Sequence, residues 1–233
     1  RSSAPMLQLR LIGDRLFRSS MTTAVCSTGA FSGILFIMPL FLQEVRGESA
    51  LQSGLTTFPE ALGVLSFSQL AGRYYPTIGP RRLIFGGLLS LTLFLVLLTF
   101  VDLNTSSWLI RALMFGIGSS MAFVIMPLQA CVLARIAPAD TGHASAIYNT
   151  QRQMSAALGV AVLATVLSVR LPGGDRAISG PSGLAAFHVV FLAAAVLAFA
   201  GALLALRIRD SDAAGTMRAR AASETAELAV SVE

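Results

Sequence analysis

The sequence predicts an all-α membrane protein with six transmembrane helices arranged as a 3+3 inverted repeat. Three observations carry that prediction. The 233 residues are 55% hydrophobic and only 12% charged, with a mean hydropathy of +0.72, whereas a soluble domain carries about 25% charged residues. The apolar residues come in continuous runs close to the roughly 20 residues needed to cross a hydrocarbon core about 30 Å thick. Those runs are of three kinds, and the kinds recur in the same order.

Residues 1–18 form the first element, a cytoplasmic or interfacial connector. In Pro5–Arg18, Met, Leu, Ile and Phe alternate with Arg10, Asp14, Arg15 and Arg18. Such a pattern fits either a short helix lying in the membrane interface or a plain linker. The bundle occupies 19–209, with spans at 19–43, 51–72, 83–101, 107–134, 144–169 and 184–206. The third and sixth are the cleanest, each without Asp, Glu or Arg. Short connections rich in Gly, Pro, Ser and Asp separate the runs. Backbone groups in hydrocarbon must be satisfied within the segment, so the runs are read as helices. Residues 210–233 are Ala-rich and of mixed charge, and are expected to be a disordered cytoplasmic tail. The chain opens on Arg1 without an initiator Met or signal peptide, as a piece of a longer polypeptide would.

The net charge is +5 and every basic residue is Arg. These arginines sit in short loops and ends, not in a stripe with interleaved aromatics, which excludes a nucleic-acid partner. They set topology instead. With both termini inside, Arg1, Arg10, Arg15, Arg18, Arg73, Arg81, Arg82, Arg135, Arg207, Arg209, Arg218 and Arg220 are cytoplasmic. Only Arg46, Arg111, Arg170 and Arg176 fall outside. All-Arg usage with high Ala points to a GC-rich bacterial source and its cell membrane. Cys26 and Cys131 lie inside apolar runs, so buried free thiols are expected. Two separated His residues cannot make a metal site. No Gly-x-Ser-x-Gly elbow, His-Glu-x-x-His motif or phosphate-cradling loop is present, so no enzyme is predicted.

The repeat is visible in the exceptions to apolarity. The first and fourth spans carry Gly29, Gly33 and Pro39, and Gly116, Gly118 and Pro127. The second and fifth carry Glu60, just after Pro59, and Arg152. The third and sixth are plain. Secondary transporters are built from such three-helix repeats, inverted because the number is odd, and Gly/Pro-interrupted helices mark their binding sites. On this reading the glycines and prolines break or gate helices, four helices face a cavity, and the plain ones face lipid. The other reading is that glycine allows close helix packing.

Glu60 lies about halfway along its span, where a carboxylate costs several kcal/mol unless it is paired, hydrated or protonated. It is a candidate proton carrier or a neutral packing residue. Arg152 cannot deprotonate, so it either snorkels or finds an acceptor in a cavity. Asn149 and Gln153, four residues apart, share a helix face with one another. Gln129 and Arg111 complete the cavity candidates, with snorkelling the other reading of Arg111.

Several strings point to a family. Gly72-Arg73-Tyr74-Tyr75-Pro76-Thr77-Ile78-Gly79-Pro80-Arg81-Arg82 resembles the Gly-rich basic loop of the major facilitator superfamily, with Gly72, Gly79, Arg81 and Arg82 as its motif positions. Pro39-Leu40-Phe41-Leu42-Gln43, Gly116-Ile117-Gly118, Met126-Pro127 and Asn149-Thr150-Gln151-Arg152-Gln153 with Ala157-Leu158-Gly159-Val160-Ala161 are similar to its fourteen-helix drug–proton antiporter branch. The likeness covers roughly residues 5–170, and Met6–Phe17 resembles the connector entering the second half. It implies one half of a major facilitator bundle: the C-terminal half of a proton-coupled exporter of drugs or other hydrophobic or cationic compounds, working by alternating access. The implied partners are an N-terminal half, lipid and a small-molecule substrate. The proton gradient stands in place of a cofactor. One departure is Pro76 and Thr77, which stand where the family loop carries Asp and then Arg. Two other readings remain: a non-transporting six-helix assembly or signalling module, and a self-pairing half transporter.

Overall fold

The computed structural model describes residues 15–134, 141–171, 181–208 and 210. The expected connector before residue 15 and the expected tail from 211 onward lie outside the described residues. The helices are α1 (Arg15–Leu40), α2 (Ala50–Thr57), α3 (Pro59–Ile78), α4 (Pro80–Leu98), α5 (Ser107–Leu133), α6 (Thr141–Arg170) and α7 (Pro181–Ala205). A π-helical turn, Phe41–Val45, continues α1. Among the described residues there is no strand. Five segments are long and apolar enough to cross a membrane: Leu16–Val45, Pro80–Leu98, Ser107–Leu133, Thr141–Arg170 and Gly183–Ala205. The protein is therefore a multi-pass, all-α membrane protein.

Local chemistry revises four expectations. First, α1 begins at Arg15, inside the stretch assigned to the connector. Second, the span expected at 51–72 runs longer, from Ala50 to Ile78, as α2 and α3 joined through helical backbone at Phe58 (φ −50°, ψ −37°) and kinked at Pro59. Ser49 caps α2 through a capping box with Gln52 (Ser49 Oγ from Gln52 N at 3.3 Å, Gln52 Oε1 from Ser49 N at 2.9 Å). The Pro59 ring then ends α2 and starts α3, because proline lacks an N–H and its ring excludes the preceding helical carbonyl. Third, the expected loop 73–82 shrinks to Gly79. Gly72 lies inside α3, and Arg81 and Arg82 lie in the first turn of α4. Gly79 makes the reversal at φ +86°, open to a residue without Cβ. Fourth, Gly29 and Gly33 do not interrupt α1, and Gly116, Gly118 and Pro127 do not interrupt α5. Of the expected breaks, only Pro39, two residues before the π turn, and Pro59 lie at a change in the helix.

Packing follows the repeat. α3 packs along α5, and α6 packs along α1; α4 lies on α5, α7 lies on α1, and α4 meets α7. Exchanging α1 for α5, α2–α3 for α6 and α4 for α7 maps this set of neighbours onto itself, as the 3+3 repeat requires. Both long seams close over glycine. A Cβ at Gly118 would overlap the Glu60 carbonyl oxygen, and a Cβ at Gly159 would overlap the Gly29 backbone. In lipid no hydrophobic force drives helices together, so such close backbone approach supplies the attraction. Behind the seams, Ser120 donates to Gly116 O (2.7 Å) and shares a hydrogen bond with Ser90 of α4 (2.9 Å). Leu89, Leu93 and Leu97 of α4 and Leu192, Val196, Phe199 and Leu203 of α7 face outward. Phe41, Phe187 and Phe191 close one end, with Phe41 edge-on to the other two rings at 5.4 and 5.6 Å.

Candidate functional site

The seam between α1 and α6 opens on one side into a recess that α5 completes. Ser27, Thr28, Phe31 and Ser32 of α1 line it, spaced so that one helical face presents them. α5 adds Met121, Ile125 and Leu128; α6 adds Tyr148, Arg152, Gln153 and Ala156. Its volume is about 160 Å³. The lining therefore joins one helix of the first repeat to two of the second, with hydroxyls and a guanidinium on one wall and apolar side chains on the other.

Neighbouring hydrogen bonds hold α6 in register. Gln151 Nε2 donates to Met21 O of α1 (3.3 Å) and to Ser155 Oγ (2.9 Å), while Ser155 Oγ donates back to Gln151 O (2.7 Å). Ser27 is buried and donates to Ala24 O (3.3 Å). On the other flank of α6 lies a wider, almost wholly apolar groove of about 410 Å³, bounded by Val25, Ile147, Met154 and Leu158.

The remaining candidates scatter. Glu60 is 4% exposed in the first turn of α3, against α5, and its Oε2 has no hydrogen-bond partner among the described residues. It does not line the recess. Asn149 and Gln129 are exposed and also outside the lining. Arg111 stacks on Trp108, 4.7 Å from the ring centroid, in the first turn of α5. It does not line the recess, and a stacked arginine near a helix end matches the snorkelling reading of this residue. The basic turn also has a partner that was not foreseen. Asp210, just beyond α7, accepts the Arg81 backbone N–H at 2.9 Å and so caps α4. At the opposite end Arg46 pairs with Glu48 (3.3 Å) and donates to Thr105 O (2.8 Å), joining two connections.

Sequence reasoning selected Arg152 and Gln153 but missed Ser27, Thr28, Ser32 and Tyr148. The i, i+1, i+5 spacing of hydroxyls in Ser27, Thr28 and Ser32, on one helical face of a largely apolar span, was the available signal.

Comparison with known proteins agrees with this architecture. Residues 2–160 match the Major Facilitator Superfamily. The chain is 32% identical over 78% of its length to the multidrug resistance protein Stp of Mycobacterium tuberculosis, of which it covers 34%. It is 29% identical over 70% of its length to the lincomycin resistance protein LmrB of Listeria innocua, covering 35% of that protein. To the puromycin resistance protein pur8 of Streptomyces alboniger it is 30% identical over 70% of its length, covering 33%. The chain thus spans about a third of the length of these relatives. Its helical repeat, its glycine seams and its match over residues 2–160 place it in one family: the chain belongs to the Major Facilitator Superfamily.

Proposed function

We propose that this chain is the C-terminal six-helix bundle of a proton-driven exporter of small amphipathic compounds, of the fourteen-helix drug–proton antiporter branch. The single observation carrying the reading is the recess, a polar and apolar lining that draws on both three-helix repeats at once. Such a site lies where two repeats or bundles rock against each other during alternating access. The names of Stp, LmrB and pur8, all resistance proteins, support a drug-like substrate class. Both termini are cytoplasmic, which puts Arg73, Arg81 and Arg82 inside and Arg46 outside, as the positive-inside rule favours. The driving force is the proton gradient.

Glu60 is the proton-exchanging group on this side. It has no cation beside it among the described residues and is almost wholly enclosed, so a fixed charge there is costly. Its backbone sits on the α3–α5 seam, where its carbonyl oxygen meets Gly118. In the full-length protein in proteoliposomes, Glu60→Gln is expected to abolish pH-driven export while the purified protein elutes and melts as wild type does. Undiminished export with unchanged pH dependence would remove Glu60 from the cycle. Residues 1–233 alone are expected to give no flux. Flux from them without another chain would favour the self-pairing half transporter.

A further inference from the structure

We propose that the recess between α1, α5 and α6 is an oxyanion subsite in which Arg152 holds the carboxylate of a transported amphipathic acid. The assignment deepens the exporter reading and rests on it. Arg152 is eleven residues into the thirty of α6, about 5 Å from the helix midpoint at 1.5 Å per residue. The first part of α6 is polar, with Asn149, Thr150, Gln151 and Gln153 around Arg152, and its apolar stretch runs from Met154 to Val169; Arg152 stands at the edge of that stretch, exposed at the mouth of the recess. The guanidinium keeps its charge there, and at the mouth of the recess it takes water or an anion as its partner.

The described residues supply no counter-charge. Arg46–Glu48 is the ion pair among them, and no carboxylate lines the recess. The recess shared with Arg152 holds neutral polar groups that can both donate and accept, those of Thr28, Ser32, Tyr148 and Gln153. A planar guanidinium takes a carboxylate through two parallel hydrogen bonds, and hydroxyls can satisfy its remaining lone pairs. Phe31 and Met121 offer the apolar wall that the rest of an amphipathic acid needs. A volume of about 160 Å³ accommodates a headgroup and its first carbons rather than a whole drug. The competing source of the same chemistry is an acidic side chain from elsewhere in the longer polypeptide.

The test is equilibrium binding of a matched pair, 1-pyrenebutyrate and its methyl ester, to the full-length protein in lipid nanodiscs at pH 7. Wild type is expected to bind the acid about tenfold more tightly than the ester, the size of one charge-assisted hydrogen bond. Arg152→Gln erases the difference while leaving ester affinity intact, which also reports a retained fold. Arg152→Lys keeps part of the preference because the charge survives without the fork. Equal binding of acid and ester by wild type, or an acid preference that survives Arg152→Gln, overturns the subsite. So does a lower melting temperature of ligand-free Arg152→Gln without any acid preference in wild type, which assigns Arg152 to an internal acid. Export of the neutral dye Nile red by wild type reads the exporter assignment separately, since it does not involve the carboxylate.

Discussion

A methyl group at Gly118 has nowhere to go except into the Glu60 carbonyl oxygen, and one at Gly159 meets the Gly29 backbone. Gly54 and Gly86, in contrast, face open space. Gly118→Ala and Gly159→Ala are therefore expected to lower stability by about 1–3 kcal/mol, the usual cost of overpacking. Gly54→Ala and Gly86→Ala should stay within about 1 kcal/mol of wild type or gain slightly from alanine's better helix propensity. Thermal unfolding of the purified variants in one detergent checks the contrast, and equal losses at all four positions would contradict the seams. These glycines were legible as special in the sequence, but not in their role. Whether a glycine breaks a helix or admits a neighbour depends on what lies opposite, and that partner is more than 50 residues away for Gly118 and Glu60. Arg152 was legible for the opposite reason: a charge in an apolar run needs an account wherever it packs. The hydroxyls of Ser27, Thr28 and Ser32 carry no such penalty, since a helical serine or threonine can satisfy itself on a preceding carbonyl.

At the scale of elements, the basic turn between α3 and α4 is the most instructive. Residues 73–82 read as a loop because Gly, Pro and Thr cluster there. Pro76 falls near the end of α3 and is tolerated, and Tyr75 is buried, so the helix runs on to Ile78. The exposed backbone N–H groups at the start of α4 then receive Asp210, which follows α7 in the chain. The family loop's acid is absent at Pro76 and Thr77, and a carboxylate arrives from a distant part of the chain. No local pattern could predict that contact, 129 residues apart in sequence. Removing it with Asp210→Ala is expected to cost about 1 kcal/mol, as loss of a helix N-cap does. The effect should be local: amide hydrogen exchange should quicken at Arg81 and its neighbours in the first turn of α4, with the α1–α6 seam unchanged. Unaltered exchange at Arg81 would show that the cap contributes nothing. The kink between α2 and α3 was legible in Pro59, and the helical backbone at Phe58 carries the run on to Ile78.

For the whole molecule, the exchange of α1 for α5, α2–α3 for α6 and α4 for α7 was readable before any coordinates. It depends only on which spans tolerate Gly, Pro and charge, and lipid enforces that choice span by span. The faces of the helices were less readable, because in lipid both outward and inward faces are apolar. Orientation is the remaining property of the whole, and it is testable. The end with Arg18, Arg73, Arg81, Arg82 and Arg207 is richer in arginine than the end with Arg46, Arg111 and Arg170, and the richer end should stay in the cytoplasm. Arg81 and Asp102 are both exposed, at opposite ends of α4 and the connection after it. In a background with Cys26 and Cys131 replaced by serine, Asp102→Cys should react with a membrane-impermeant maleimide in intact cells. Arg81→Cys should react only after lysis. The helices between them cross in alternation, so a reversed pattern would invert every connection at once and move the Asp210-capped turn to the outside. Labelling of both cysteines in intact cells would mean that α4 does not span the membrane, which its 19 apolar-rich residues and mean hydropathy of 1.9 argue against.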